Sequence, residues 1–238
     1  LLNTDFIDNS AGVDTSDHEV NIKILLNAQV QQKKLTVDAR NTLLASMTDE
    51  VAGLVLHDNY RQNQAISLME RMSVPRMGSK RHFISTLEAQ GLLDRQIEFL
   101  PSDTELSERK ARGLGLTRPE LSVLLSYSKL VLFPELLNSD VPEDPYLSKE
   151  LVRYFPQPLQ AKYAKAMEGH RLKREIIATA VTNQMVNRMG ATFALRMQED
   201  SGRSAAEVAK AFNITRETLD ARALWTQIDA LDGKVPES

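Results

Sequence analysis

The residues best placed to touch a small molecule lie near the start of the chain, in Asp8-Asn9-Ser10-Ala11-Gly12-Val13 with Ser16 and Glu19 beyond. A turn of small residues lets backbone approach a ligand closely, and the Asn9 amide and Ser16 hydroxyl can each donate and accept a hydrogen bond. That chemistry is binding and orientation, because neither group is a useful acid or base. Other candidates are weaker. The four histidines, His18, His57, His82 and His170, fall in no HExxH or His-x3-His pattern, so no metal site is expected. The chain has no cysteine, which excludes disulfides, thiol catalysis and cysteine-ligated zinc. Acid pairs such as Asp49-Glu50 and Glu105/Glu108 sit where first helical turns are expected and read as favourable partners of the helix dipole. No residue is therefore assigned a catalytic role.

The elements that must hold these residues are mostly helices. Phe6-Ile7 reads as a strand end, Asn9 to Gly12 as a polar turn, and Ser16 as an N-cap with Glu19 completing a capping box. A strand that ends in such a turn and opens a helix is where α/β folds hold ligands. Beyond it almost every window has a period near 3.6. Helices are expected to about Val30, from Thr36 to Met47, from Thr48 through Met72, from Ser79, and from Thr104 to Arg112. Thr117-Arg118-Pro119-Glu120 is a strong helix start, Pro134 should kink or end that helix, and Asn138 to Pro145 reads as a loop. Shorter helices cover 147–155 and 156–167, and a long one runs from about His170 to Gln198, with Gly190 weakening it. Thr179, Asn183 and Asn187 repeat every four residues on that helix, as a buried polar seam would. Ser204 and Glu207 form a second capping box, Thr215 opens a further helix, and Ala221 to Leu231 carries Leu224, Trp225, Ile228 and Leu231. His170-Arg171-Leu172-Lys173-Arg174 places cations at a helix start, against the dipole, so a partner carboxylate is expected nearby.

Composition bounds the function classes. The chain has 238 residues, 42% of them hydrophobic, enough for one large or two modest domains. A net charge of -3 argues against nucleic-acid or membrane-surface binding. Ser204 to Ala221 nevertheless has the outline of a helix-turn-helix, and a non-enzymatic helical interaction or DNA-binding module is the alternative function. No apolar run is long enough to span a bilayer and no signal-peptide pattern opens the chain, which points to a cytoplasmic protein. The opening Leu1-Leu2, inside an apparent strand with no partner strands, suggests a piece of a longer protein.

The segment Asp8 to Val13 with Ser16 and Glu19 resembles the A-N-A-G-G-V-T-V-S-Y-F-E segment of glutamate dehydrogenases. The fuller string from Asn3 to Leu26 is similar to the large bacterial NAD-specific glutamate dehydrogenases, as are Gly115 to Leu121 and His170 to Thr179. Ser10-Ala11 stands for Ala-Gly and Asp17-His18 for the aromatic pair. The resemblance implies that Asn9 contacts the nicotinamide end of NAD and that Ser16 contacts the substrate. L-glutamate and 2-oxoglutarate would be the reactants and the enzyme a homo-oligomer. The family's catalytic lysine and aspartate have no match and would lie upstream of Leu1. The fold implied is mainly α, a helical domain (31–238) appended to the last strand–turn–helix (1–30) of a Rossmann-like NAD-binding domain.

Overall fold

The computed structural model describes residues 2–235, and these form helices joined by short turns, with no strand among them. In order they are α1 (Asp5–Asp8), α2 (Ser10–Gln31), α3 (Val37–Ser46), α4 (Thr48–Arg71), α5 (Met77–Ala89), α6 (Asp103–Ala111) and α7 (Arg118–Leu137). After the 3-10 turn Val141–Glu143 come α8 (Lys149–Tyr154), α9 (Gln157–Met167), α10 (Lys173–Met189), α11 (Phe193–Ser201), α12 (Ala205–Thr218) and α13 (Ala221–Asp229).

Helix α10 is the central element. It packs on α7, α8, α4 and the 3-10 turn, while α2 packs on α4. One apolar face of α10 is buried, with Ile176, Ile177, Val181 and Met185 all inside. Leu121, Leu124, Leu125 and Leu132 of α7 meet it in one continuous core.

Local signals placed several helix ends. Thr117 accepts from the Glu120 N–H while Glu120 accepts from the Thr117 N–H, and Pro119 occupies the first turn. Ser204 and Glu207 make the same reciprocal pair at α12. Thr36 and Ser102 cap α3 and α6.

Several expectations are corrected. Phe6-Ile7 is helical, not a strand: Ile7 is wanted as a buried anchor, and a single helical turn seats it against α4. Ser16 lies within α2 and caps nothing, and Glu19 pairs with Lys23 one turn on. Thr48 starts α4 but is no cap; its hydroxyl donates to the Ala45 carbonyl at 3.2 Å. Pro134 does not end α7, which runs on to Leu137. The long helix expected from His170 to Gln198 is two helices, because Gly190 takes φ 80° and turns the chain between α10 and α11. The outline of a helix-turn-helix disappears, since α12 passes unbroken through Asn213-Ile214-Thr215. Val141 and Pro142 are buried, so 138–145 is a packed loop between helices.

Candidate functional site

Asn9 is the single residue between α1 and α2, and its own backbone is helical (φ -72°, ψ -10°). What fixes this corner is a set of amides from α4. The Ser10 hydroxyl donates to the Ile7 carbonyl at 2.7 Å. Asn59 donates to the same carbonyl at 2.9 Å and to Ser10 Oγ at 3.2 Å. Gln62 donates to Ser10 Oγ at 3.2 Å and to Asp58 Oδ2 at 2.9 Å. Asn187 of α10 completes the chain by donating to Asp58 Oδ1 at 3.1 Å. Asn187, the last member of the expected polar seam, thus ties the corner to the centre of the bundle.

The predicted contact residues point away from this clamp. Asn9 and Ser16 are both exposed. Seven residues make close to two helical turns, so the two side chains share the outer face of α2, with Gly12 and Val13 between them. Among the described residues neither the Asn9 amide nor the Ser16 hydroxyl makes a side-chain hydrogen bond, so both are free to take one from a ligand. Their types fit a nicotinamide carboxamide and a polar substrate. A Cβ on Gly12 would stand 3.2 Å from Asn9 Oδ1, so glycine there keeps the amide uncrowded.

The inner face of α2 is polar where an ordinary helix would be apolar. Asp14, Asp17, His18 and Asn21 border a cavity of about 400 Å³ with Asp58 of α4, Tyr154 of α8, and Glu175, Thr179 and Asn183 of α10. His18, 5% exposed, stacks on Tyr154 with ring centres 4.4 Å apart. Asn21 donates to the Tyr154 hydroxyl at 2.9 Å. Burial pushes the His18 imidazole down to about 4, with Asp58 opposing it. Burial, then the charges of Asp58 and Asp17, push Asp14 up to about 6. Burial likewise raises Tyr154 and lowers the Lys129 ammonium, which Asp58 and Asp14 help to hold. Near pH 5 Asp14 is therefore largely protonated and His18 largely neutral. The cluster offers hydrogen bonds and one pair of titrating groups, and no nucleophile. No set of His, Cys, Asp or Glu among the described residues is arranged to hold a metal ion. Sequence reasoning saw only part of this cluster, the Thr179/Asn183 repeat, and the Asp14/His18 spacing of four residues was its other visible trace; Asp58, Tyr154 and Glu175 arrive from distant segments.

At the basic start of α10 the expected carboxylate is present: Arg174 pairs with Glu143 and also donates to the Leu137 carbonyl at 2.6 Å. His170, just before α10, is buried. Its Nδ1 accepts from the Leu172 N–H at 3.1 Å, which leaves Nε2 to donate to the Asn21 carbonyl at 3.1 Å.

Two family profiles match the chain. Residues 113–238 match the one described as glutamate dehydrogenase, C-terminal. Residues 1–69 match the one described as bacterial NAD-glutamate dehydrogenase, catalytic domain. Among curated proteins, the NAD-specific glutamate dehydrogenase of Halomonas elongata is 53% identical over 99% of this chain and 15% of its own length. That of Pseudomonas aeruginosa is 53% identical over 98% of the chain and 14% of its own length. That of Mycobacterium tuberculosis is 38% identical over 96% of the chain and 14% of its own length. The chain thus spans about 15% of the length of the curated relatives it matches. No solved structure matches it significantly.

Proposed function

The chain belongs to the family described as glutamate dehydrogenase, C-terminal, and from that membership we propose that the whole protein oxidatively deaminates L-glutamate. The products would be 2-oxoglutarate and ammonia, with NAD, when bound, taking the hydride. In this reading Asn9 hydrogen-bonds the nicotinamide end and Ser16 the substrate. The chain's other contribution is mechanical: Asn59, Gln62, Asp58 and Asn187 hold the α1–α2 corner so that those two groups keep their places. The lysine and aspartate that the resemblance assigns to proton handling are not matched in this chain, so we expect it to be inactive alone.

The observation that carries the reading is the pairing of position with exposure. Asn9 and Ser16 lie in the segment that matches the catalytic-domain profile. Both are exposed on one side of the start of α2, and among the described residues neither side chain is hydrogen-bonded. We place residues 1–30 at the end of a Rossmann-like NAD-binding domain and 31–238 in an appended helical domain. The end of α2 at Gln31, followed by Lys33 at φ 58°, supports a joint there. A homo-oligomer and a cytoplasmic location complete the proposal. An exposed apolar stripe, Leu224 and Ile228 on α13 with Leu231 just beyond it, supports the first. No helix among the described residues is long and apolar enough to cross a membrane, which agrees with the second.

Steady-state kinetics of the full-length protein test this. Asn9→Ala should raise KM for NAD, and Ser16→Ala should raise KM for glutamate, each roughly tenfold, as for loss of one ligand hydrogen bond. The exposure of both residues predicts unchanged helix content and melting. Unchanged kinetics in both variants would overturn the assignment.

A further inference from the structure

Beside the start of α11 lies a second cavity of about 220 Å³. Its charged lining among the described residues is all of one sign: Arg76, Lys80 and Arg188 border it, and no described carboxylate does. The volume is below the roughly 300–1,000 Å³ of clefts for drug-sized molecules, so any occupant is small.

Lys80 is the unusual member. It is 4% exposed, yet its ammonium makes one hydrogen bond, to the Met72 carbonyl at 3.2 Å. Burial and the nearby Arg76 push it down to about 8, and no acid offsets them. It also sits in the first turn of α5, where the helix dipole opposes a cation. A buried ammonium normally has a paired anion, because an uncompensated charge away from water is costly.

The cavity's other walls are short of acceptors too. The Ala191 N–H bonds only to the Met69 thioether, at 3.4 Å, and sulfur is a weak acceptor. Thr192, the N-cap of α11, makes no side-chain cap bond. Arg188 spends its terminal nitrogens on Asp229 and Gln64 and leaves Nε buried and unpartnered. A buried lysine without a counter-ion, a second guanidinium and an uncapped helix N-terminus converge on one space.

We propose that this cavity binds a small oxyanion, a carboxylate or a phosphate group, held by Lys80 and Arg76 at the N-terminus of α11. The site is independent of the Asn9 and Ser16 reading and would stand if that failed. Inorganic phosphate and malonate represent the two sources of the same chemistry.

Calorimetric titration of each into the chain, at ionic strength matched with sodium chloride, should show saturable binding of at least one at millimolar or lower concentration. Phosphate alone, malonate alone, or both all support the site and identify its class. Lys80→Met should abolish the binding, and it should melt higher than the parent in anion-free buffer because a buried unpaired charge is gone. Arg76→Ala, at an exposed position, should fold normally and weaken binding about tenfold. Absence of saturable binding by both anions overturns the proposal. So does binding that survives Lys80→Met.

Discussion

Asp14 and His18 approach within 3.8 Å of each other, yet neither carries its usual charge in the middle of the acid range. Asp14 is raised from 3.8 to about 6, so the folded chain holds a proton that the unfolded chain has released. Its contribution to stability is complete below the unfolded value and is lost as pH rises through the folded one. His18 is lowered from 6.5 to about 4, so its contribution is complete above 6.5 and is lost as pH falls through 4. The two trends oppose each other across roughly pH 4–6. Asp14→Asn removes the falling one. Denaturant unfolding of that variant should show stability rising more steeply with pH over this window than in the parent. A slope equal to the parent's would mean the carboxyl titrates normally.

Glu150 makes a second, quite different buried cluster. It is 2% exposed and accepts from Arg222 at 2.6 Å, Arg153 at 2.7 Å, Arg216 at 3.3 Å and Gln184 at 2.6 Å. Arg216 is just as deeply buried and is lowered by burial and by Arg222, with Glu150 and Glu217 holding it charged. Glu150→Ala would leave that guanidinium buried with half of its counter-charge. The expected loss is about 3–5 kcal/mol, read from urea unfolding. Glu150→Gln should cost less, because it keeps the acceptor for one donor.

At the scale of the element, the informative positions are those where one residue decides whether a helix continues. Gly190 turns α10 into α11 at φ 80°, and a Cβ there would meet Met69 Cγ at 3.3 Å. Gly190→Ala should therefore lower stability by about 1–3 kcal/mol, the cost of a left-handed backbone at a residue with a side chain. The measurement is a thermal or denaturant melt. Pro134 teaches the converse. A proline inside a helix removes one N–H bond, here to the Leu130 carbonyl, and Leu130 is exposed so that water can serve that carbonyl. The break expected from sequence does not occur because its cost falls on the solvent side. Asn213-Ile214-Thr215 looked like a turn for similar local reasons. Asn213 instead donates to the Ala209 carbonyl at 2.8 Å, within the helix, and is fully inside the bundle.

Across the whole molecule, protection is expected to be uneven. α10 is enclosed by α7, α8 and α4. α13 is held by polar links, Arg188 to Asp229 at 2.5 Å and Arg222 to Glu150 at 2.6 Å, with Trp225 packed behind them. Its apolar stripe faces out. Amide hydrogen exchange of the chain should thus be slowest in α7 and α10 and fastest, among helices of comparable length, in α13. Protection of α13 equal to that of α10 would overturn this ordering.

The amino-acid sequence by itself determined the helical class, most helix starts and the α10 face that is buried. Caps and periodicity act within about four residues, which is the range of a helical hydrogen bond. It also marked the Asn9–Ser16 segment, because a family resemblance is carried by consecutive residues. Only the tertiary structure decided that Phe6-Ile7 is helical, since burying Ile7 against α4 outweighs the strand preference of two residues. Only it could bring Asp58, Tyr154 and Glu175 to Asp14 and His18, or strand Lys80 beside the start of α11. Burial and charge depend on which distant segments meet, and no local pattern records that meeting.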